Sequence, residues 1–471
     1  MSEGSISIRK AVPIIAVAWI LSLITTFALV YVFTNNSARD TLNMPYSQVS
    51  CIIGVYNSTY YYATNCTSSM MLIQSTNASK VINFVIGSLT NGGMIHLKAG
   101  TYTLQGPILF ERGTATQLEW VLEGEGDATD IECGTSTYGI WIRNATQVCL
   151  RDFYMHGTNS NTNVVRADGS GAAEQSMGIG SKIESIHIEN DLGSGKYAVY
   201  LENYMYLHVI NLRVQSGGTG SVPLGLFANS STGINYGNSQ FDYLRLTSIG
   251  ADCLVINCTE STTYMGHINF DTFSHLEMGA SGAAVNGLHI GNKIQYDKFE
   301  WITAEGVDYG IRIGESTTTE GYQSRHNVFT GGYLACHTCG IFTGNRTTRN
   351  QFSDISITAS TNSIQDTGSS FSQNVYSNMI LLSGTLSPGG AKFMGSAGPG
   401  TFFTADTSFT GITNGTAVSI YQMAMTPTIV QITLSSQGYA WYGAVTATTV
   451  VVYFAGNITS TVSGSIYTAI S

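Results

Sequence analysis

Apolar positions in this chain come in short alternating runs, and the runs return at intervals. An aromatic-led segment recurs as FDYL from Phe241, FDTF from Phe270, YDKF from Tyr296, FTGG from Phe329, FSDI from Phe352 and YSNM from Tyr376, at spacings of 29, 26, 33, 23 and 24 residues. Between the copies a second run recurs, as YGIWIRN, YAVYLEN, CLVINC, NGLHIGN, YGIRIGE and CGIFTGN. Both run types alternate with a period of two, the signature of strands, and Gly, Asn and Ser turns separate them. No stretch of this region sustains a 3.6-residue period, which excludes a helical repeat. A propeller blade would need about four strands in 40 or more residues. The pattern predicts a solenoid, in which each coil turns its Phe, Tyr, Ile, Leu and Val inward and needs the next coil to bury them.

The flanks change the pattern. Residues 11–33 are 23 consecutive uncharged, mostly apolar residues preceded by Arg9 and Lys10. That length exceeds the roughly 30 Å of a bilayer core, and the flanking cations orient the short N-terminus to the cytoplasm. The expectation is a cytoplasmic stub and transmembrane anchor over 1–34, with a cleaved signal peptide as the competing reading, followed by an extracellular segment over 35–90. Within it, SKVINFVIGSL is amphipathic and predicts a helix. The solenoid is expected over 91–384 and a Gly/Pro linker over 385–400. Over 401–471, alternating strands with polar turns predict a small antiparallel β-sandwich. The chain is thus expected to be a single-pass membrane protein, all-β apart from its anchor and one capping helix.

Composition agrees and narrows the partners. Only 11% of the 471 residues are charged, while Gly (52) and Tyr (26) are abundant. A net charge of -10 with 20 Lys plus Arg argues against a nucleic-acid partner, which requires a basic surface. Export predicts glycan acceptors at the Asn-x-Ser/Thr sites Asn35, Asn57, Asn65, Asn77, Asn144, Asn229, Asn257, Asn345, Asn414 and Asn457. It also predicts local disulfides from the sequence-near pairs Cys51 with Cys66, Cys133 with Cys149, Cys253 with Cys258, and Cys336 with Cys339.

The stretch NGGMIHLKAGTYTL at residues 91–104 resembles the opening coil of the pectate-lyase-like, right-handed parallel β-helix superfamily. That resemblance covers about residues 76–384 and implies that the preceding helix plugs the open apolar end. It specifies fold and leaves activity open, because the superfamily holds lyases, hydrolases, epimerases, tailspikes and inert adhesins. Segments 250–253, 286–291 and 311–314 are similar in order to polygalacturonase landmarks, and Asp252 and Arg312 match them as catalytic candidates. Ala251, Asn286 and Gly314 depart from the pattern, which leaves too few acids for inverting hydrolysis.

Three further acids, Asp242, Asp271 and Asp297, each directly follow an aromatic anchor. If the anchors point inward, these carboxylates form an outward column about 5 Å apart, suited to catalysis or to Ca²⁺. Arg245 and Arg312 are the nearby arginines. His156, His208, His275 and His289 lack metal-ligand spacing and read as ordinary strand residues. Tyr264, Trp301, Tyr322 and Trp441 are suited to stacking on sugars. The expected function is polysaccharide binding, with cleavage, at a cell surface; the alternative is a non-catalytic adhesin or envelope component. The C-terminal module, which looks like those of tailspike-like proteins, is compatible with a homotrimer.

Overall fold

The computed structural model describes residues 49–471 except 58, 112–118, 170–179, 230–235, 260–266, 283–284, 315–323, 345–346, 368–373, 388–391, 394–400, 410–416, 422–428, 435–438, 446–449, 456–461 and 471. The expected anchor, Asn35, Asn345, Asn414, Asn457, Tyr264 and Tyr322, and the side chains of Asn229 and Trp441, lie outside the described residues. No helix among the described residues is long and apolar enough to cross a membrane.

The body is a right-handed parallel β-solenoid. On one side of it, strands His208–Thr219, Gln240–Ile249, Thr272–Ser281, Lys298–Ile313, Val328–Thr343 and Gln351–Asp366 stack coil upon coil in parallel. A second stack runs through Tyr138–Arg143, Asn163–Asp168, Tyr197–Glu202, Val222–Asn229, Leu254–Thr259 and Asn286–Ile290 into the far end of Lys298–Ile313. The inward residues of both stacks form one continuous apolar core.

Within that core, equivalent residues of successive coils sit directly above one another, so like rings stack. Phe241, Phe273, Phe299, Phe329, Phe352 and Tyr376 occupy one rung each. Neighbouring ring centroids are 4.6 to 4.8 Å apart and within 9° of parallel. All six are fully buried, and burying each contributes about 2 kcal/mol.

The N-terminal end of the body is covered by a helix. Helix Ala78–Ser88 starts at Asn77, whose side chain accepts from the amide of Lys80 at 3.2 Å, and it buries Val81, Ile82, Val85 and Ile86 against the first coil. Strands Gly93–Leu97 and Gly100–Thr103 follow it, as the opening motif predicts. The preceding segment also forms an antiparallel meander, Cys51–Tyr56, Tyr60–Asn65 and Met71–Ser75, whose first strand pairs in parallel with Gly93–Leu97. Sequence alternation there was too short to announce it. At the other end the expected linker contains part of a strand, Ile380–Ser387, that pairs in parallel with Thr401–Phe409. Beyond it are two antiparallel groups. Val462–Ile470 is flanked by Thr401–Phe409 and Ile429–Leu434, and Val450–Ala455 by Ala417–Tyr421 and Tyr439–Val445.

The expected disulfides are corrected: all eight cysteines are free thiols. Cys253 and Cys258 bracket one extended strand, which separates their Cα atoms by about 16 Å, beyond the roughly 7 Å a disulfide can bridge. Cys133 donates its amide to the carbonyl of His156, seven residues along the strand that carries Cys149, so this pair is also out of reach. Cys66 follows strand Tyr60–Asn65, whose last residue pairs with Cys51, and Cys336 and Cys339 share one strand. Solenoid stacking aligns residues one coil apart, whereas Cys253 with Cys258, and Cys336 with Cys339, fall along a strand instead. Among the sequons, Asn77 caps the helix and Asn257 accepts from the amide of Asn292 at 3.0 Å. Asn57 is exposed, while Asn65 and Asn144 are half-buried.

Candidate functional site

Each central coil bends twice within five residues through a left-handed backbone. The corners pair Tyr206 with Asn211, Asn238 with Tyr243, Phe270 with His275, Tyr296 with Trp301, and Arg349 with Asp354, all at φ between 53° and 62°. Asn and Asp adopt this conformation cheaply, whereas larger side chains pay for it. Asn211, Asn238 and Asp354 follow that preference. The middle coils place Tyr243, His275 and Trp301 on the second corner instead, and Tyr243 and Trp301 remain 59% and 63% exposed.

Beside that second corner lies a groove of about 570 Å³ lined by Tyr243, His275, Trp301, Arg245, Glu277 and Glu305, among others. Alternation explains the lining: past the bend Leu244 and Leu276 turn inward, so Arg245 and Glu277 turn outward. The rings of Tyr243 and His275 stack at 4.4 Å and 7°. On the next corner above Trp301 stands Gly331, where an added Cβ would meet the indole at 3.5 Å, so the absent side chain leaves that face of the ring uncrowded. Arg245 Nε lies 3.2 Å from Glu277 Oε1. Glu305 pairs with Gly279, two residues along from Glu277 on the neighbouring coil. That offset sets the two glutamate Cα atoms about 8 Å apart, from strand spacing and rise. An aromatic platform thus faces a pair of carboxylates and an arginine. Sequence reading singled out Trp301 and Arg245 and missed Glu277 and Glu305, which become neighbours only through coil register.

The expected aspartate column does not form. Phe241 faces inward as its anchor should, but Phe270 and Tyr296 are corner residues, 55% and 45% exposed. The buried equivalents of Phe241 are Phe273 and Phe299, three residues later. Asp242 is therefore an outward strand residue, in register with Ser274, which donates its hydroxyl to the carboxylate, and 3.5 Å from Nε2 of His208. The nearby His208, and then the Ser274 hydrogen bond, hold its carboxyl below the usual range.

Asp271 and Asp297 turn inward and occupy two rungs of a buried side-chain ladder. The amide of Ser239 donates to Asp271 Oδ1 at 2.8 Å, that of Asp271 to Asp297 Oδ1 at 3.0 Å, and that of Asp297 to Asn327 Oδ1 at 3.0 Å. Asn350 and Asn374 continue it. Tyr204 donates its hydroxyl to Asp271 Oδ2 at 2.7 Å. Burial pushes Asp271 up to about 7 and Asp297 well above the ordinary carboxylate range, the latter also because Asp271 is close. These two acids serve turn chemistry. Only Asp242 of the three remains at the surface, where a Ca²⁺ ion would take six to eight oxygens. Among the described residues no group of three or more His, Cys, Asp and Glu is arranged to hold a metal.

Asp252 and Arg312 belong to the second strand stack, and so form no single site with Asp242. Asp252 Oδ2 is 2.8 Å from Nδ1 of His289, and its Oδ1 accepts from the amide and side chain of Asn286. Register places Arg312 beside His289, its guanidinium over the rings of Tyr309 and Phe342. His156 is in register with Glu132 and Glu189 as an outward strand residue.

No protein-family model and no curated protein matches this chain. Among solved structures it is similar to the tailspike protein gp49 from Pseudomonas phage LKA1, with 10% identity over 82% of this chain and 92% of that one, at a TM-score of 0.35. It is also similar to the tailspike protein of E. coli bacteriophage HK620 in complex with a pentasaccharide, with 12% identity over 84% and 90% and a TM-score of 0.40.

Proposed function

We propose that this protein binds polysaccharide in the groove beside Trp301. The observation that carries this reading is an exposed indole and a stacked Tyr243–His275 pair, held on left-handed corners that Asn would occupy at less cost, facing charged hydrogen-bonding groups. Flat aromatic faces suit the apolar faces of pyranose rings, and the carboxylates and guanidinium suit their hydroxyls. Affinity electrophoresis of the protein through gels carrying neutral and acidic polysaccharides tests it. Retardation by one of them, relieved about tenfold in Trp301→Ala, is expected; no retardation across the panel, or retardation indifferent to Trp301, sinks the reading.

A second reading, cleavage in the same groove, is favoured by Glu277 and Glu305. Inverting glycoside hydrolysis uses one carboxylic acid and one carboxylate flanking the scissile bond, and Glu277 and Glu305 line the same groove. Arg245 Nε holds Glu277 Oε1 at 3.2 Å, and in this reading Glu277 positions the attacking water while Glu305 serves the leaving oxygen. New reducing ends that vanish in both Glu277→Gln and Glu305→Gln while retardation persists are the expected result. Retardation without turnover in the unaltered protein identifies an adhesin. In this account residues 11–33 anchor the chain in a membrane with the solenoid outside, a placement that protease accessibility in intact cells checks.

A further inference from the structure

The row of second corners carries one rung without a side chain. Register sets Trp301 against Gly331 and Gly331 against Asp354, at left-handed φ of 55°, 71° and 57°. Asn211, Tyr243 and His275 hold the same conformation on the rungs below, and Asn378 holds it above Asp354. This backbone therefore accepts a side chain and does not demand glycine. Space does not demand it either: the nearest neighbours of a Cβ on Gly331 would be atoms of the Trp301 indole, the closest at an ordinary 3.5 Å. At Gly332 the case is different, because a Cβ there would strike the carbonyl oxygen of Ile302 at 2.0 Å.

The missing side chain leaves a slot one ring thick. The backbones of Trp301 and Asp354 are two rungs apart, about 10 Å, and lower on the same row parallel rings fill successive rungs, as Tyr243 and His275 do at 4.4 Å. Gly331 itself is buried while Trp301 is largely exposed, so the open area lies over the outer part of the indole. The roof is Asp354, an exposed side chain. Its Oδ1 accepts from Asn378 Nδ2 at 3.2 Å, and its Oδ2 has no hydrogen-bond partner among the described residues. Along the chain the slot is flanked by Thr330, hydrogen-bonded to Ser353 at 2.8 Å, and by the exposed Tyr333.

We propose that this slot holds a single uncharged pyranose ring of the polysaccharide, stacked on Trp301 in place of the absent side chain. One C–H face of the sugar lies on the indole, and hydroxyls on its edge donate to Asp354 Oδ2 in charge-assisted bonds. A uronate or sulfated ring would bring its own anion against that carboxylate, in a chain whose net charge is already -10, and like charges so close repel. That the ligand is a glycan rests on the groove reading; the position and neutrality of this ring rest on the slot.

The test is affinity electrophoresis of the full chain through gels carrying dextran, galactomannan or polygalacturonate. The proteins compared are the unaltered chain, Gly331→Asn, Asp354→Asn and Trp301→Ala. Asn suits the left-handed backbone, as Asn211 and Asn378 show on the same row, so Gly331→Asn fills the slot and should keep the melting temperature of the unaltered protein. Expected are stronger retardation by a neutral gel than by polygalacturonate, a loss of about tenfold in Gly331→Asn, and one of about fivefold in Asp354→Asn, where a charged acceptor becomes a neutral one. If Gly331→Asn melts early, Asp354→Asn decides alone, and unchanged retardation there overturns the proposal. Both variants retarded like the unaltered protein while Trp301→Ala is not overturn the slot and leave the groove standing. Trp301-dependent retardation that is strongest in polygalacturonate overturns the uncharged ring. Retardation by none of the three gels, or retardation indifferent to Trp301, removes the groove reading and the slot with it.

Discussion

Replacing Asp297 by Asn should stabilise this protein, and the ladder sets the size and pH dependence of the gain. At the neighbouring rungs the Asn side chain both accepts and donates. Asn327 Nδ2 donates to the carbonyl of Ile294 at 3.1 Å, Asn350 to that of Ser324 at 3.3 Å, and Asn374 to that of Thr347 at 3.3 Å. Asp297 keeps the accepting half through Oδ1, but its Oδ2 is fully buried with no partner among the described residues. An unsatisfied buried group costs about 1–3 kcal/mol, which an amide donor at this rung would recover. Burial raises the Asp297 carboxyl well above its ordinary range, so the native state retains a proton that the unfolded chain gives up near pH 4. Its stability contribution is therefore fully present below about pH 4 and is lost as pH rises through the native value. The same holds for Asp271 between about 4 and about 7. Below pH 4 the unfolded chain holds that proton as well, and the pH-dependent part of the Asn advantage disappears. The assay is guanidinium unfolding of the unaltered protein and Asp297→Asn at pH 4, 5.5 and 7. A gain smallest at pH 4 and growing toward pH 7 by up to about 1.4 kcal/mol per pH unit is expected. A destabilised variant, or a gain that does not change with pH, refutes the ladder argument.

Other consequences are as direct. Phe299→Ala removes the ring between Phe273 and Phe329, 4.6 and 4.8 Å from them, and should cost about 3–5 kcal/mol in the same unfolding assay. Trp301→Ala, at a largely exposed side chain, should leave the melting temperature unchanged while weakening glycan retardation. Burial pushes the thiols of Cys133, Cys253, Cys258, Cys336 and Cys339 up to about 12, so at pH 8 alkylation followed by mass spectrometry should find these five unmodified until the chain is unfolded. Half-buried Cys66 should be the first to react. Recovery of any of the five in a disulfide contradicts their placement.

The aromatic-led repeat and the Gly-Gly opening coil were enough to reveal a parallel solenoid. These signals are local, and alternation with turn chemistry survives any choice of register. The site was only partly legible. FDTF and YDKF each hold an aromatic at the first and fourth positions, and nothing in the string says which one is inside. Stacking decides it: Phe273 and Phe299 continue the buried column from Phe241, which turns Phe270 and Tyr296 out onto left-handed corners and swings Asp271 and Asp297 into the ladder. The same three-residue displacement dissolves the expected aspartate column and leaves Asp242 alone. Glu277 and Glu305, and likewise Trp301, Gly331 and Asp354, are remote in sequence and adjacent in space. Sequence periodicity by itself determined the architecture, because burying an alternating face requires only that some coil lie above. The tertiary structure decided the chemistry of the faces, because which side chains meet across coils depends on loop lengths and register, and the hydrophobic pattern leaves those free.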